Sequence, residues 1–74
     1  MVAEEIAENP PIGQIVTNNG PRSHRRLVTS CSAYHGVGYR EVYKTHTSAG
    51  VYYTLSWKKW CNKHGGASLA EDAT

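Results

Sequence analysis

The stretch VYYTLSWKKWCNKHGG, residues 51–66, joins the clearest strand of this chain to its clearest helix. Its first five residues are all β-branched, aromatic or aliphatic, and none of them is glycine or proline. This composition favours an extended conformation. Ser56 follows as a candidate N-cap, and Gly65 and Gly66 supply the stop signal of a helix over residues 57–64. The stretch therefore predicts a strand followed at once by a short helix.

The predicted helix has one aromatic side and one basic side. Positions i, i+3, i+4 and i+7 of a helix share a face. On one face are Trp57, Trp60, Cys61 and His64, and on the other are Lys58, Lys59, Asn62 and Lys63. We expect the helix to pack its rings on a sheet and to present its lysines to solvent.

Three more strand candidates precede this unit. They span residues 13–17, 25–32 and 39–47, and the Asn-Asn-Gly-Pro sequence at 18–21 is a strong turn signal between the first two. A short turn at 48–50 leads into the fourth strand. These elements predict a mainly β (α+β) fold, either a small bent sheet or an SH3-like barrel of about four strands with a C-terminal helix. Closure of the sheet into a barrel would leave no strand edge exposed.

The length of 74 residues predicts a single small domain. Residues 1–11 have helix-forming acidic residues followed by two prolines, and so short a helix is marginal alone. We expect an acidic flexible tail there, a β-rich domain over residues 12–66, and a second flexible tail over 67–74.

Residues 13–28 resemble the opening of KOW-type and other SH3-like small barrels. Gly13 leads the first strand and Gly20-Pro21 forms the following turn, although Gln14 stands where an acidic residue is usual. The whole layout is also similar to that of small uncharacterised proteins of phages and prophages. The resemblance implies a compact barrel, and such barrels bind proteins as readily as nucleic acids.

Charge is separated along the chain. All eight lysines and arginines lie between Arg22 and Lys63, with Glu41 as the one acid, so this stretch carries a formal +7 while the whole chain carries +2. Concentrated positive charge attracts polyanions, whereas solubilising charge is normally interspersed with acids. The candidate nucleic-acid contacts are Arg22, Arg25, Arg26, Arg40, Lys44, Tyr52, Lys58, Lys59 and Lys63.

Aromatic rings near this basic charge are candidate platforms for stacked bases. Alternation along residues 51–55 places Val51, Tyr53 and Leu55 on one strand face, which predicts Tyr53 in the core and leaves Tyr52 as the better candidate for exposure. Exposed tyrosines among the basic residues would favour nucleic acid as the partner. An uncovered apolar patch around Trp57 or Trp60 would favour a protein partner.

We therefore expect a small protein that binds DNA or RNA. The alternatives are a protein-interaction module, such as a phage-type accessory or inhibitor protein, and a small nuclease that uses one of the four histidines. No pairing of a histidine with a second catalytic group is readable from the sequence, so we assign no catalytic residue and expect no enzyme.

Two cysteine and histidine pairs, Cys31 with His35 and Cys61 with His64, have residue types that zinc accepts. The alternative is a buried Cys61 that packs as a small apolar residue, with His64 at the helix end. We expect no cofactor and regard zinc as the alternative.

The first residues lack a basic leader with an apolar segment, and no run approaches the roughly 20 apolar residues of a membrane span. We therefore expect a cytoplasmic protein with no membrane partner. In a reducing compartment its two cysteines would be unbridged.

Overall fold

The computed structural model describes residues 2–22 and 24–70. Within them the elements are α1 (Ala3–Glu8), β1 (Ile15–Thr17), β2 (Arg25–Ser32), β3 (Gly36–Val42), β4 (Tyr52–Thr54), α2 (Trp57–Asn62) and β5 (Ser68–Leu69). The strands form one antiparallel sheet in the order β4-β3-β2-β1-β5. The prediction of a mainly β fold is confirmed, and the sheet is open with five strands rather than about four.

The β2–β3 hairpin is the centre of the sheet, and a tight turn fixes it. Ser32 pairs with Gly36, and the Ser32 hydroxyl accepts hydrogen bonds from the main-chain N–H groups of Tyr34 (3.1 Å) and His35 (3.3 Å). Gly36 has a φ of 83°, and a Cβ at this position would lie 2.0 Å from the carbonyl oxygen of Thr54 in β4. Only glycine satisfies both the turn and the close approach of β4.

A bulge bends the same hairpin. The register shifts between Val28 and Ser30, so that Val28 lies opposite Tyr39 while Ser30 lies opposite Gly38. A bulge bends its strand and increases the local twist. The short sheet can therefore curve over its core without closing.

Both helices cover one face of the sheet. The buried cluster between them comprises Ile6, Val16, Val28, Val37, Trp57, Cys61 and Ala67. The Trp57 indole N–H donates a hydrogen bond of 3.0 Å to the carbonyl oxygen of Ile6. The prediction of a flexible tail over residues 1–11 is therefore corrected, because α1 is docked by the completely buried side chain of Ile6. A lone isoleucine in an acidic segment carries little signal in the sequence.

The C-terminal part also differs from the prediction. Helix α2 ends at Asn62 instead of residue 64, and the side chain of Ser56 makes no capping hydrogen bond. Ser68 and Leu69 pair with β1, and Ala67 is buried, where the sequence predicts the start of a flexible tail. Residues 71–74, the rest of that predicted tail, lie outside the described residues.

The predicted burial of Tyr53 is wrong, whereas Tyr52 is exposed as predicted. Tyr53 is 59% exposed although alternation predicts it in the core, and Leu55, which was assigned to the same strand face, is 77% exposed. The reason is that β4 is an outer strand and the helices cover only one face of the sheet. Neither described helix is long and apolar enough to cross a membrane.

Candidate nucleic-acid interface

Three shallow depressions of about 560 to 610 Å³ share lining residues and form one strip along the surface. Arg26, Trp60 and Lys63 are common to the first and third, and Arg22 and Tyr43 are common to the second and third. We call this strip the basic groove. Its basic residues are Arg22, Arg25, Arg26, Lys44, Lys59 and Lys63.

The basic groove collects six of the eight lysines and arginines of the chain. They come from the loop before β2, from β2 itself, from the segment after β3 and from the region of α2. Glu41 is the one acid among the described residues that line it, and it forms an ion pair with Arg26 at 3.6 Å. Within residues 2–22 and 24–70, the other five basic side chains of the groove form no ion pair.

Arg26 forms the floor of the groove and is itself enclosed. Its side chain is 16% exposed, and its guanidinium carbon lies 4.1 Å from the ring centroid of Tyr39 and 4.2 Å from that of Trp60. Glu41 lies directly across from Arg26 in the β2–β3 register. Stacking between two rings and pairing with a carboxylate are interactions that arginine makes better than lysine. This geometry suits a structural cation more than the phosphate contact that the sequence predicts.

The turn at Asn18 and Asn19 fixes one wall of the groove against the other. Asn18 is buried, its side-chain oxygen accepts a hydrogen bond from the Gly20 N–H (3.1 Å), and its amide donates to the Trp60 carbonyl (3.4 Å). Asn19 has a φ of 61° and donates from its side chain to the Gly66 carbonyl (3.0 Å). Because these bonds join the loop to α2 and the residues after it, Arg22 is held in the same groove as Lys63. The sequence indicates a turn here but not this connection.

His64 and Gly20 pack closely across the same wall. A Cβ at Gly20 would lie 2.9 Å from the His64 ring, so a larger residue would displace the histidine. His24 and His64 both line the groove. The structure thus brings two histidines into one basic depression, a proximity that the sequence does not indicate.

Three predicted contacts lie outside the groove. Lys58 forms an ion pair with Glu8 of α1. Arg40 alternates with Tyr39 and Glu41 along β3, so it projects from the sheet face opposite to the helices. Tyr52 is exposed, but its ring packs 6.0 Å from that of Tyr39 and does not line the groove.

Two other aromatic residues line the groove. Tyr43 is 48% exposed, and Trp60 is half-buried between Arg26 and Trp57, whose ring centroid is 5.0 Å away. The spacing assigns Trp60 to the core side of the helix, and its ring also lines the groove. These rings supply apolar surface beside the positive charge.

The cysteine and histidine set does not come together. Cys61 is buried in the core while Cys31 is exposed on β2, and both are free thiols. His35 packs instead against Tyr34 and Tyr53, with ring centroids at 4.7 and 5.9 Å. Over residues 2–22 and 24–70, no three histidine, cysteine or acidic side chains are grouped to hold a metal ion.

Burial controls the chemistry of Cys61. Desolvation raises the pKa of its thiol from 9.0 to about 11, and the positive charge of Arg26 opposes this rise. A thiol with so high a pKa is protonated near neutral pH and is a poor nucleophile. Cys61 therefore acts in the core as a small apolar side chain.

No protein-family model, curated protein or solved structure matches this chain.

Proposed function

We propose that this protein binds nucleic acid along the basic groove, chiefly through phosphate contacts. The observation that carries the proposal is that Arg22, Arg25, Lys44, Lys59 and Lys63 line three adjoining depressions whose single described acid is already paired with Arg26. Charges placed for solubility need not converge. A strip of cations matches a phosphate backbone, because each contact releases condensed counterions.

The aromatic residues support the same partner. Tyr43 presents a partly exposed ring beside Lys44 and Arg22, where a base could stack while its phosphate meets a cation. Of the two tryptophans whose exposure would favour a protein partner, Trp57 is buried, whereas the half-buried Trp60 lines the groove. Base stacking requires unpaired bases, so a single-stranded probe should gain most from Tyr43.

The salt dependence follows from the number of free cations. If the five free groove cations each contact one phosphate, the slope of log K against log salt is about −4.5 on duplex DNA and about −3.5 on a single strand. Affinity for non-specific sites should then be about 10⁻⁴ to 10⁻⁶ M at physiological salt. A slope near zero would contradict phosphate binding.

The test is titration of labelled duplex DNA, single-stranded DNA and RNA at several salt concentrations. Arg22→Glu with Lys63→Glu reverses two groove charges and should weaken binding by at least about tenfold while making the salt slope shallower by about 2. Arg40→Glu with Lys58→Glu is the matched control, because it changes net charge equally outside the groove.

Two outcomes would contradict the proposal. Equal loss in both double variants would mean that net charge, not the groove, controls binding. No binding of the wild type at low salt would mean that the cations have another purpose. Probe integrity is followed in the same experiment, because His24 and His64 line the groove and cleavage would indicate a nuclease.

A further inference from the structure

Two of the four histidines of this chain lie in the central part of the basic groove. His24 precedes β2 and His64 follows α2, yet both line the third depression, which shares residues with the other two. His24 also lines the second depression. Both residues are exposed. The fold therefore places two titratable rings on the path of the phosphates that the groove is proposed to bind.

The turn between β1 and β2 positions His64. The His64 ring lies against Gly20, where a Cβ would be 2.9 Å from it. The N–H of Gly20 donates a hydrogen bond to the Asn18 side chain, which in turn donates to the Trp60 carbonyl of α2. The ring therefore packs on a turn that is itself bonded to the helix, and this packing places His64 in the groove.

The charges that face the two rings are almost all positive. Glu41 is the one acid among the described residues that line the second and third depressions, and its carboxylate is paired with Arg26. The other charged or titratable side chains in this lining are Arg22, Arg25, Tyr43, Lys44 and Lys63. Within residues 2–22 and 24–70, neither imidazole forms an ion pair. A proton on either ring therefore adds a cation that no described acid neutralises.

The two remaining histidines lie outside the groove. His35 packs against Tyr34 and Tyr53, and His46 packs against Tyr43 with ring centroids 4.7 Å apart. Neither histidine belongs to the described lining of the three depressions. His46 contacts a ring that lines the groove, whereas the rings around His35 do not line it. His35 is therefore the cleaner control for the two groove histidines.

We propose that His24 and His64 make the basic groove pH-sensitive, so that its affinity for nucleic acid rises as the pH falls from about 7.5 to about 5.5. This inference rests on the proposed function of the groove. Histidine is the side chain whose charge ordinarily changes in this range, whereas lysine, arginine and the carboxylates keep theirs. A phosphate beside an imidazole favours the protonated form of the ring. Each ring therefore takes a proton from solvent as the strand enters and then acts as a further cation.

The size of the effect follows from counterion release. Two additional phosphate contacts make the slope of log K against log salt steeper by about 1.8 on duplex DNA and by about 1.4 on a single strand. At about 100 mM salt, a slope change of about 1.4 corresponds to about 25-fold in affinity relative to about 1 M salt. The change in charge is incomplete over about two pH units, so we expect binding at about pH 5.5 to be at least about tenfold tighter than at about pH 7.5.

The test is titration of a labelled single strand with the 74-residue chain at about pH 5.5 and about pH 7.5, each at several salt concentrations. His24→Gln with His64→Gln cannot take up these protons, so it should remove most of the difference between the two pH values. His24→Arg with His64→Arg carries the charge at both pH values and should keep the steeper slope throughout. His35→Gln is the control and should keep the full response of the wild type.

Three outcomes separate this inference from the proposed function. Salt-dependent binding with equal affinity at both pH values would overturn the inference while the groove remained a nucleic-acid site, and the wild type alone decides this outcome. A pH response that His24→Gln with His64→Gln leaves intact, in a protein that is folded by circular dichroism, would overturn the inference as well, because the protons would then be taken up elsewhere. No binding at either pH would overturn both the inference and the proposed function.

Discussion

Replacement of Arg26 should destabilise the fold far more than replacement of any exposed groove cation. The guanidinium lies 4.1 Å from the Tyr39 centroid and 4.2 Å from the Trp60 centroid, and two such contacts are worth about 1–2 kcal/mol together. The half-buried Glu41 would also lose its partner, at a cost of about 1 kcal/mol. Arg26→Ala should therefore lower the free energy of unfolding by about 2–3 kcal/mol, out of the about 4–11 kcal/mol expected for this length.

Urea denaturation followed by tryptophan fluorescence would measure this loss, because Trp57 and Trp60 both lie in or beside the core. Arg26→Lys keeps the charge but loses the planar stack, so it should cost about 1–2 kcal/mol. Lys44→Ala, at an exposed groove position, should stay within about 0.5 kcal/mol of the wild type. Equal stability of Arg26→Lys and the wild type would refute the assignment of Arg26 as a stacked structural cation.

Three further changes test the fold around the site. Gly36→Ala should unfold the domain or lower the free energy of unfolding by more than about 3 kcal/mol, because its Cβ would lie 2.0 Å from a carbonyl oxygen of β4. Gly50→Ala is the control for thermal melts and should be tolerated, because a Cβ at Gly50 would meet no atom within 4 Å. Trp57→Phe removes a buried hydrogen bond to α1 and should cost about 1 kcal/mol by urea titration. Burial raises the pKa of the Cys61 thiol from 9.0 to about 11, so as the pH rises this thiol ionises in the unfolded chain before it ionises in the folded protein. The free energy of unfolding should therefore be highest below pH 9 and should fall as the pH rises to about 11. Cys61→Ala should lack this pH-dependent part of the stability.

The local signals of the sequence predicted the elements better than their contacts. Strand β2 spans the predicted residues 25–32, and α2 begins at the predicted Trp57, because β-branched runs and a strand-to-helix junction are local properties. Helix α1 was predicted as part of a tail because its stability depends on the burial of Ile6 against α2, which is a tertiary effect.

The groove could be predicted only in part. The concentration of eight cations between residues 22 and 63 indicated a polyanion surface, yet the sequence could not sort them by position. Lys58 is paired with Glu8, Arg40 projects from the other face, and Arg26 is stacked between rings, and each of these outcomes depends on the strand register or on helix docking. The role of Asn18 as a connector between the turn and α2 was invisible for the same reason.

Binding along the basic groove should respond steeply to salt. Added salt reduces the gain from counterion release, so the affinity for nucleic acid should fall between about 50 and 200 mM.

Titration of a labelled strand at these salt concentrations would measure the response of the groove. An affinity that does not change with salt would contradict phosphate contacts by the groove cations.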